Sequence, residues 1–201
     1  MKRNFLTVLF ACFTLAMMAQ DAIKVNYKGA KPNIVDFAWA FLFSDDNDED
    51  ECDQEATAGI KEALKRYRQG VPQNKNVTFT VDQKNGYILY EWKDEDGDNS
   101  SKTEMCYWNE ADGKHKLFAY STWYFSDGKP NTGQYDGINF WRYDNATKKM
   151  RMLYDPGFQV EYQNTCYTLP RVGKDIIVTT WSDNGKKTQK ILKWNGRRFN
   201  K

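Results

Sequence analysis

The chain has 201 residues, of which 40% are hydrophobic, 15% aromatic and 28% charged, and its formal net charge is +2. This length indicates one globular domain, large enough to bury a core without depending on disulfides. The chain contains one histidine, His115, which excludes a multi-histidine transition-metal site and leaves a single candidate for any histidine-based catalysis.

The N-terminal segment has the features of a secretory signal peptide. Lys2 and Arg3 precede an almost wholly apolar run that is too short for a membrane span and is followed by small residues. We predict a signal peptide over residues 1–19, cleaved after Ala19, and export to the periplasm or cell surface. Cys12 raises lipid anchoring as an alternative, which the apolar residues beyond it disfavour.

Charge argues against a nucleic-acid partner, and hydropathy argues against a membrane-spanning segment. Loss of Lys2 and Arg3 reduces the 29 basic residues to 27, equal to the 27 acidic ones. Nucleic-acid binders are usually basic, so we predict no nucleic-acid partner. No second apolar run approaches membrane length, so we also predict no membrane span.

Three cysteines remain after the predicted cleavage: Cys52, Cys106 and Cys166. An oxidising compartment allows this odd number at most one bridge. Cys106 and Cys166 both lie in strand-like segments, and we predict a disulfide between them. Their spacing does not fit a zinc site, and we predict no metal.

Two helices are predicted within residues 33–70. NIVDFAWAFLF begins at Asn33, a good N-cap, with Asp36 three residues later as in a capping box. This helix is apolar nearly all round and should be buried. The acidic run Ser44–Glu55 does not fit the EF-hand spacing and is better explained by the N-terminal dipole of the second helix. That helix is predicted over Glu51–Gln69, with the buried stripe Ala56, Ile60, Ala63, Leu64 and Tyr67.

From Asn76 onward the hydrophobic period becomes that of strands. Eight short runs rich in aromatic and β-branched residues are separated by turn dipeptides such as Asn85-Gly86 and Asp112-Gly113. We therefore predict an antiparallel β-meander of about eight strands over residues 76–199, within one α+β domain spanning 20–201. The first helix should pack on alternating positions of these strands: Val77, Phe79, Val81, Leu89, Phe140, Ile176 and Val178.

In WKDEDG, WNEADG and WYFSDG, a tryptophan is followed by an Asp-Gly turn whose glycine lies five residues later. Successive turns of a meander alternate between the two ends of the sheet. Trp92 and Trp123 should therefore lie at one end, and Trp108 and Trp141 at the other. This distribution favours an architectural role, in which each ring covers a strand end.

A binding role is the alternative for the tryptophans at one of these ends. Trp92 and Trp123 should be two strands, or about 10 Å, apart. With Tyr124 or Tyr90 they could line one aromatic rim that stacks on sugar rings or grips a partner chain. We take Trp92, Trp123 and Tyr124 as the candidate ligand-binding residues.

Catalytic motifs are not found in the sequence. It contains no HExxH, P-loop or Rossmann glycine pattern, and His115 lies in the lysine-rich turn GKHK. We predict no catalytic residues and no cofactor. Paired carboxylates could still hydrolyse a glycosidic bond, and the strand-associated candidates are Glu91, Glu104, Asp136 and Glu161.

Several segments together resemble a group of exported proteins of unknown function from Bacteroidetes: DFAWAF, VDQKNGYI, CYWNEADGKHKLFA, FWRYDNATKKM, LPRVGKDIIV and LKWNGRRF. The resemblance implies an exported α+β or mainly β protein and carries no catalytic residues. The leading hypothesis is a non-enzymatic binding protein of the bacterial envelope, with a polysaccharide, a peptide or another envelope protein as partner. The alternatives are a carboxylate-based glycan hydrolase and a structural accessory protein.

Overall fold

The computed structural model describes residues 22–44, 51–127, 129–130, 137–162, 164–182 and 184–200. The predicted signal peptide, which includes Cys12, and Asp136 lie outside these ranges. For Cys52 and Ala56 the structure describes the helical backbone but not the side chains. Within them, no helix is both long and apolar enough to cross a membrane.

The described residues contain two helices and twelve strands, joined by turns and loops. The helices are α1 (Ile34–Leu42) and α2 (Glu51–Gln69). The strands are β1 (Ala22–Lys24), β2 (Val77–Asp82), β3 (Tyr87–Lys93), β4 (Asn99–Asn109), β5 (His115–Ser126), β6 (Lys129–Pro130), β7 (Gly137–Asp144), β8 (Lys149–Met152), β9 (Thr165–Thr168), β10 (Ile176–Trp181), β11 (Lys187–Trp194) and β12 (Phe199–Asn200).

The strands form two antiparallel sheets. The large sheet has the order β1-β8-β7-β5-β4-β3-β2, with β6 paired to β5, and the small sheet has the order β12-β11-β10-β9. Strands that follow one another in the chain are neighbours through most of both sheets, which confirms the meander. The α+β class is also confirmed.

The strand count and element order differ from the prediction of about eight strands behind two N-terminal helices. β1 precedes both helices, and four strands were missed: β1, β6, β9 and β12. Each of these has four residues or fewer, which is too short for an alternating hydrophobic pattern to stand out. Because β9 and β12 flank β10 and β11, missing them also hid the small sheet.

Helix α1 forms as its sequence dictates. The Asn33 Oδ1 accepts the N–H groups of Val35 and Asp36, at 2.8 and 3.3 Å. The Asp36 carboxylate accepts the Asn33 N–H at 2.8 Å, which completes the capping box. Seven of its nine residues are buried. The helix is therefore a core element, as predicted.

Helix α2 has the predicted bounds, but only part of the predicted stripe is buried. Ile60, Ala63 and Leu64 are enclosed, whereas Tyr67 is 37% exposed. The Tyr67 hydroxyl accepts a hydrogen bond from Gln83, which keeps that end of the side chain at the surface.

The molecule has three layers: the two helices, the large sheet and the small sheet. Adjacent residues of central strand β5 show this, because Phe118 belongs to the helix-side core and Leu117 to the core between the sheets. Neither is exposed to solvent. The large sheet is therefore buried on both faces at its centre.

Only some of the predicted partners of α1 lie on its side of the large sheet. Val77, Phe79 and Val81 pack in the helix-side core. The others belong to the core between the two sheets, so their assignment to α1 was wrong: Leu89, Phe140, Ile176 and Val178. Ile88 and Tyr90, which flank Leu89, face the helices instead.

The predicted disulfide is not formed. Cys106 and Cys166 are both buried, and no bond joins them. Cys106 and Tyr167 belong to the core between the sheets. Successive residues of a strand point to opposite faces, so Cys166, next to Tyr167, points away from Cys106.

Candidate functional site

The strand register shows where the tryptophans lie. Trp92 pairs with Ser101, and Trp123 pairs with Lys102, the next residue along β4. Trp108 and Trp141 both pair with β5, near its other end. The predicted alternation between the two ends of the sheet is therefore confirmed.

The two tryptophans at the first end lie on opposite faces of the large sheet. Val77, Trp92, Ser101 and Tyr124 form one row across four strands. Val77 and Trp92 pack against the helix-side core, so this row faces the helices. Trp123 is adjacent to Tyr124 in β5 and points the other way. The prediction that Trp92 and Trp123 share a rim is wrong, whereas Trp92 and Tyr124 do share a surface.

Trp92 and Tyr124 line a cleft of about 500 Å³ together with Tyr90. One wall is α2, and the other is the end of strands β2 to β5, with the segment 73–76 between them. The polar side chains of the lining are Glu62, Arg66, Gln73, Asn74, Asn76 and Ser101. Both rings are half-buried, so each leaves part of its surface accessible to a ligand.

Several lining groups are held in place by hydrogen bonds. The Arg66 Nε donates to the Pro72 carbonyl at 2.8 Å, and its guanidinium lies 3.7 Å from the Glu62 carboxylate. The Gln73 amide donates to the Ala63 carbonyl at 3.0 Å. These contacts tie the segment after α2 back to the helix and define the mouth of the cleft.

Other polar groups of the lining have unused hydrogen-bonding capacity. The side-chain amides of Asn74 and Asn76 are exposed and make no hydrogen bond to any described residue. An asparagine amide offers two donor hydrogens and an acceptor oxygen. The cleft therefore combines two partly exposed aromatic rings with donors and acceptors, which is the usual composition of a site for a polar organic ligand.

Gly59 sets the position of Tyr90 at the base of the cleft. A Cβ at position 59 would lie 2.3 Å from the Tyr90 hydroxyl oxygen. The tyrosine can therefore lie against the α2 backbone only because residue 59 has no side chain. Burial raises the pKa of the Tyr90 hydroxyl, and the neighbouring Tyr124 raises it further.

Sequence reasoning missed Gly59, Arg66 and the two asparagines of this cleft. A glycine inside an otherwise helical pattern was the available signal, because it costs about 1 kcal/mol relative to alanine and usually has a packing reason. Arg66, Asn74 and Asn76 carried no comparable signal, since charged helix residues and loop asparagines are common at any surface.

Trp123 has a different environment on the opposite face. Its ring lies 5.1 Å from that of Phe125, and the Lys102 ammonium lies 5.2 Å from its centre. The Lys102 Nζ is also 3.1 Å from the Glu104 carboxylate. Trp123 is thus packed within its own surface cluster and contributes nothing to the cleft.

None of the three candidate carboxylates that the structure describes, Glu91, Glu104 and Glu161, lines the cleft at Trp92 and Tyr124. Glu104 is buried and accepts hydrogen bonds from the Tyr87 hydroxyl and the Leu169 N–H, at 2.7 and 2.8 Å. Glu161 pairs with Lys190 at the surface. Glu91 precedes Trp92 in β3 and so faces away from the cleft. Among the described lining residues of the cleft, Glu62 is the single carboxylate.

The turn that follows Trp108 contains a second polar cluster. Ligand atoms of Glu110, Asp112 and His115 lie within 4.8 Å of one another, a spacing that could hold a metal ion. Arg142, however, donates to both Glu110 oxygens, at 2.7 and 2.6 Å, and lies 3.6 Å from Asp112. A cation would have to compete with this guanidinium, so the cluster does not fit a metal site.

The same turn positions His115 against Asp112. The His115 Nδ1 is 2.5 Å from the Asp112 Oδ2, and the His115 and Lys114 N–H groups donate to Oδ1 of the same carboxylate. These hydrogen bonds lower the pKa of Asp112 to about 2. His115 therefore stabilises this turn through its contacts with Asp112.

Comparisons of the chain with protein-family models, with curated proteins and with solved structures give no match.

Proposed function

We propose that this is an exported, non-enzymatic binding protein whose cleft at Trp92 and Tyr124 takes a segment of an uncharged or weakly charged polysaccharide. The single observation that carries the proposal is the placement of these two half-buried rings in one cross-strand row, at the mouth of a cleft lined with amides. The proposed compartment is the bacterial periplasm or cell surface, as the N-terminal sequence indicates.

The chemistry of a sugar matches this lining. A pyranose ring has a face of C–H groups, which packs on a flat aromatic side chain, and an edge of hydroxyl groups. Trp92 and Tyr124 are two strand spacings, or about 10 Å, apart, so each ring could contact a different sugar unit. The asparagine amides and the Glu62–Arg66 pair supply donors and acceptors for the hydroxyls.

Binding without catalysis is favoured by the composition of the cleft. Glycoside hydrolysis generally needs two carboxyl groups about 5–10 Å apart across the scissile bond. The described lining contains one, Glu62, and it lies beside Arg66. We therefore do not propose the hydrolase alternative.

A glycan array with the purified protein, followed by titration calorimetry of the strongest hit, tests the proposal. Trp92→Ala should weaken binding by about tenfold or more, because it removes one stacking surface. Trp123→Ala is a matched control, since it deletes the same side chain at the same end of the sheet but on the other face. Equal losses in the two variants, or no glycan bound by the wild type, would contradict the proposal.

A further inference from the structure

A second cavity lies at the opposite end of the large sheet and has a different character. Its volume is about 570 Å³. It lies between the segment that precedes α1, the ends of β4 and β5 and the turn between β7 and β8. The residues that matter for its chemistry are Tyr27, Lys31, Tyr107, Asn109, His115 and Lys116.

Lys116 is an unusual feature of this cavity because it is a buried cation. Only 7% of the surface of Lys116 is accessible to solvent, and the residue forms no ion pair with any described residue. Its Nζ donates to the Asn109 side-chain oxygen and lies 4.7 Å from the centre of the Tyr107 ring. A buried ammonium with only neutral partners is costly unless an anion compensates it.

The nearby charges do not supply that compensation. Lys31 adds a second positive charge at the mouth, and burial together with repulsion from Lys31 lowers the pKa of Lys116. Glu110 also lines the cavity, but Arg142 binds both of its carboxylate oxygens. Positive charge therefore remains uncompensated along the cavity wall, and it faces an open volume.

We infer that this cavity is a binding site for an anionic ligand, whose phosphate, sulfate or carboxylate group contacts Lys116 and Lys31. The volume exceeds that of a single oxyanion and lies within the range of small-molecule sites. The Tyr107 and Tyr27 rings provide apolar surface for the remainder of such a ligand. This inference does not depend on the proposed polysaccharide cleft.

Titration calorimetry and thermal unfolding with phosphate, sulfate and acetate test the inference, with ionic strength held constant by sodium chloride. Saturable binding of at least one anion is expected at roughly millimolar concentrations. Binding of phosphate or sulfate would indicate an ester ligand, and binding of acetate alone would indicate a carboxylate. If the wild type binds none of the three saturably, the inference is wrong.

Two variants assign binding to the cavity. Lys116→Met keeps the length of the side chain and removes its charge, so it should weaken anion binding by about tenfold or more without lowering the melting temperature of the unliganded protein. Lys31→Met changes an exposed residue and should also weaken binding, even if Lys116→Met fails to fold. Unchanged affinity in either variant would overturn the assignment.

Two further variants serve as controls. Lys187 also lies over an aromatic ring, that of Trp181 at 5.7 Å, but in the small sheet. Lys187→Met should leave anion binding unchanged, and an equal loss there would show general charge attraction and refute a built site. Trp92→Ala should retain full anion affinity, which separates this test from that of the polysaccharide cleft.

Discussion

Trp92 and Trp123 lie at the same end of the large sheet, yet their rings point to opposite faces. Trp92 pairs with Ser101 and Trp123 with the next residue of β4, Lys102. This shift of one residue reverses the face, because side chains alternate along a strand. It places Trp92 in the same row as Tyr124, lining the cleft, and leaves Trp123 in a separate cluster with Phe125. Two tryptophans with the same sequence context can therefore have different roles.

The contact between Gly59 and Tyr90 gives the first prediction. Alanine is favoured over glycine in a helix by about 1 kcal/mol, but a Cβ here would meet the Tyr90 hydroxyl oxygen at 2.3 Å. Gly59→Ala should therefore destabilise the protein in spite of its better helix propensity, and displace Tyr90 into the cleft. Denaturant unfolding of the purified variant measures the effect.

The control for Gly59→Ala is the same change in a Tyr90→Phe background. Without the hydroxyl, the nearest ring atom is Cζ at 3.2 Å, which a small shift can relieve. The substitution should then be neutral or stabilising. A similar destabilisation in both backgrounds would show that the hydroxyl contact is not the cause.

Glu104 gives the second prediction. Its buried carboxylate accepts from Tyr87 and Leu169 and pairs with Lys102, so it joins the large sheet to the segment at the end of β9. Glu104→Gln should lower the free energy of unfolding by about 1–3 kcal/mol, because charge-assisted bonds are lost and an amide cannot accept at both positions. Chemical denaturation measures this loss.

Glu161→Gln is the matched comparison for Glu104→Gln. Glu161 pairs with Lys190 at 2.9 Å, but both side chains are exposed. Exposed ion pairs contribute about 0–1 kcal/mol, so this variant should unfold almost as the wild type does. Comparable losses in the two variants would mean that burial of Glu104 adds nothing.

The third prediction concerns acid stability. Hydrogen bonds from Asn85, followed by one from Arg171, lower the pKa of Asp82 from 3.8 to about 2. A lowered folded-state pKa means that folding favours the ionised form. Its stabilising contribution is complete above about pH 4 and is lost as pH falls toward 2. Asp82→Asn should therefore flatten the fall of melting temperature across this window.

The ranking of the two partners of Asp82 can be checked separately. Asn85 donates through both its backbone and its side chain, at 3.1 and 2.9 Å, whereas Arg171 donates once at 3.0 Å. Asn85→Ala should consequently reduce the loss of stability between pH 4 and pH 2 more than Arg171→Ala does. The reverse order in pH-dependent unfolding would contradict this assignment.

The cysteines give the fourth prediction. Cys106 and Cys166 are buried without a bond between them, and burial raises the pKa of the Cys106 thiol. Alkylation of the denatured protein without reductant, followed by peptide mapping, should therefore recover Cys106 as a modified thiol. Native protein should react slowly at Cys106, because the thiolate is the reactive form. A recovered Cys106–Cys166 cross-linked peptide would contradict the arrangement of the two sheets.

The sequence by itself determined the elements whose signals are local. The capping box at Asn33 and the apolar period of α1 depend on residues within a few positions of one another. The bounds of α2, the longer strands and the alternation of tryptophans between the ends of the sheet follow from the same short-range patterns.

Only the tertiary structure decided which face each strand residue occupies. The central strands are buried on both faces, so Phe118 and Leu117 are equally apolar and give no sequence signal that one meets the helices and the other the small sheet. For the same reason, the sequence did not show that Cys106 and Cys166 point away from each other, or that Trp92 and Trp123 lie on opposite faces of the large sheet. The cleft and the cationic cavity depend on these choices of face and on loops brought together from distant parts of the chain, which no local pattern encodes.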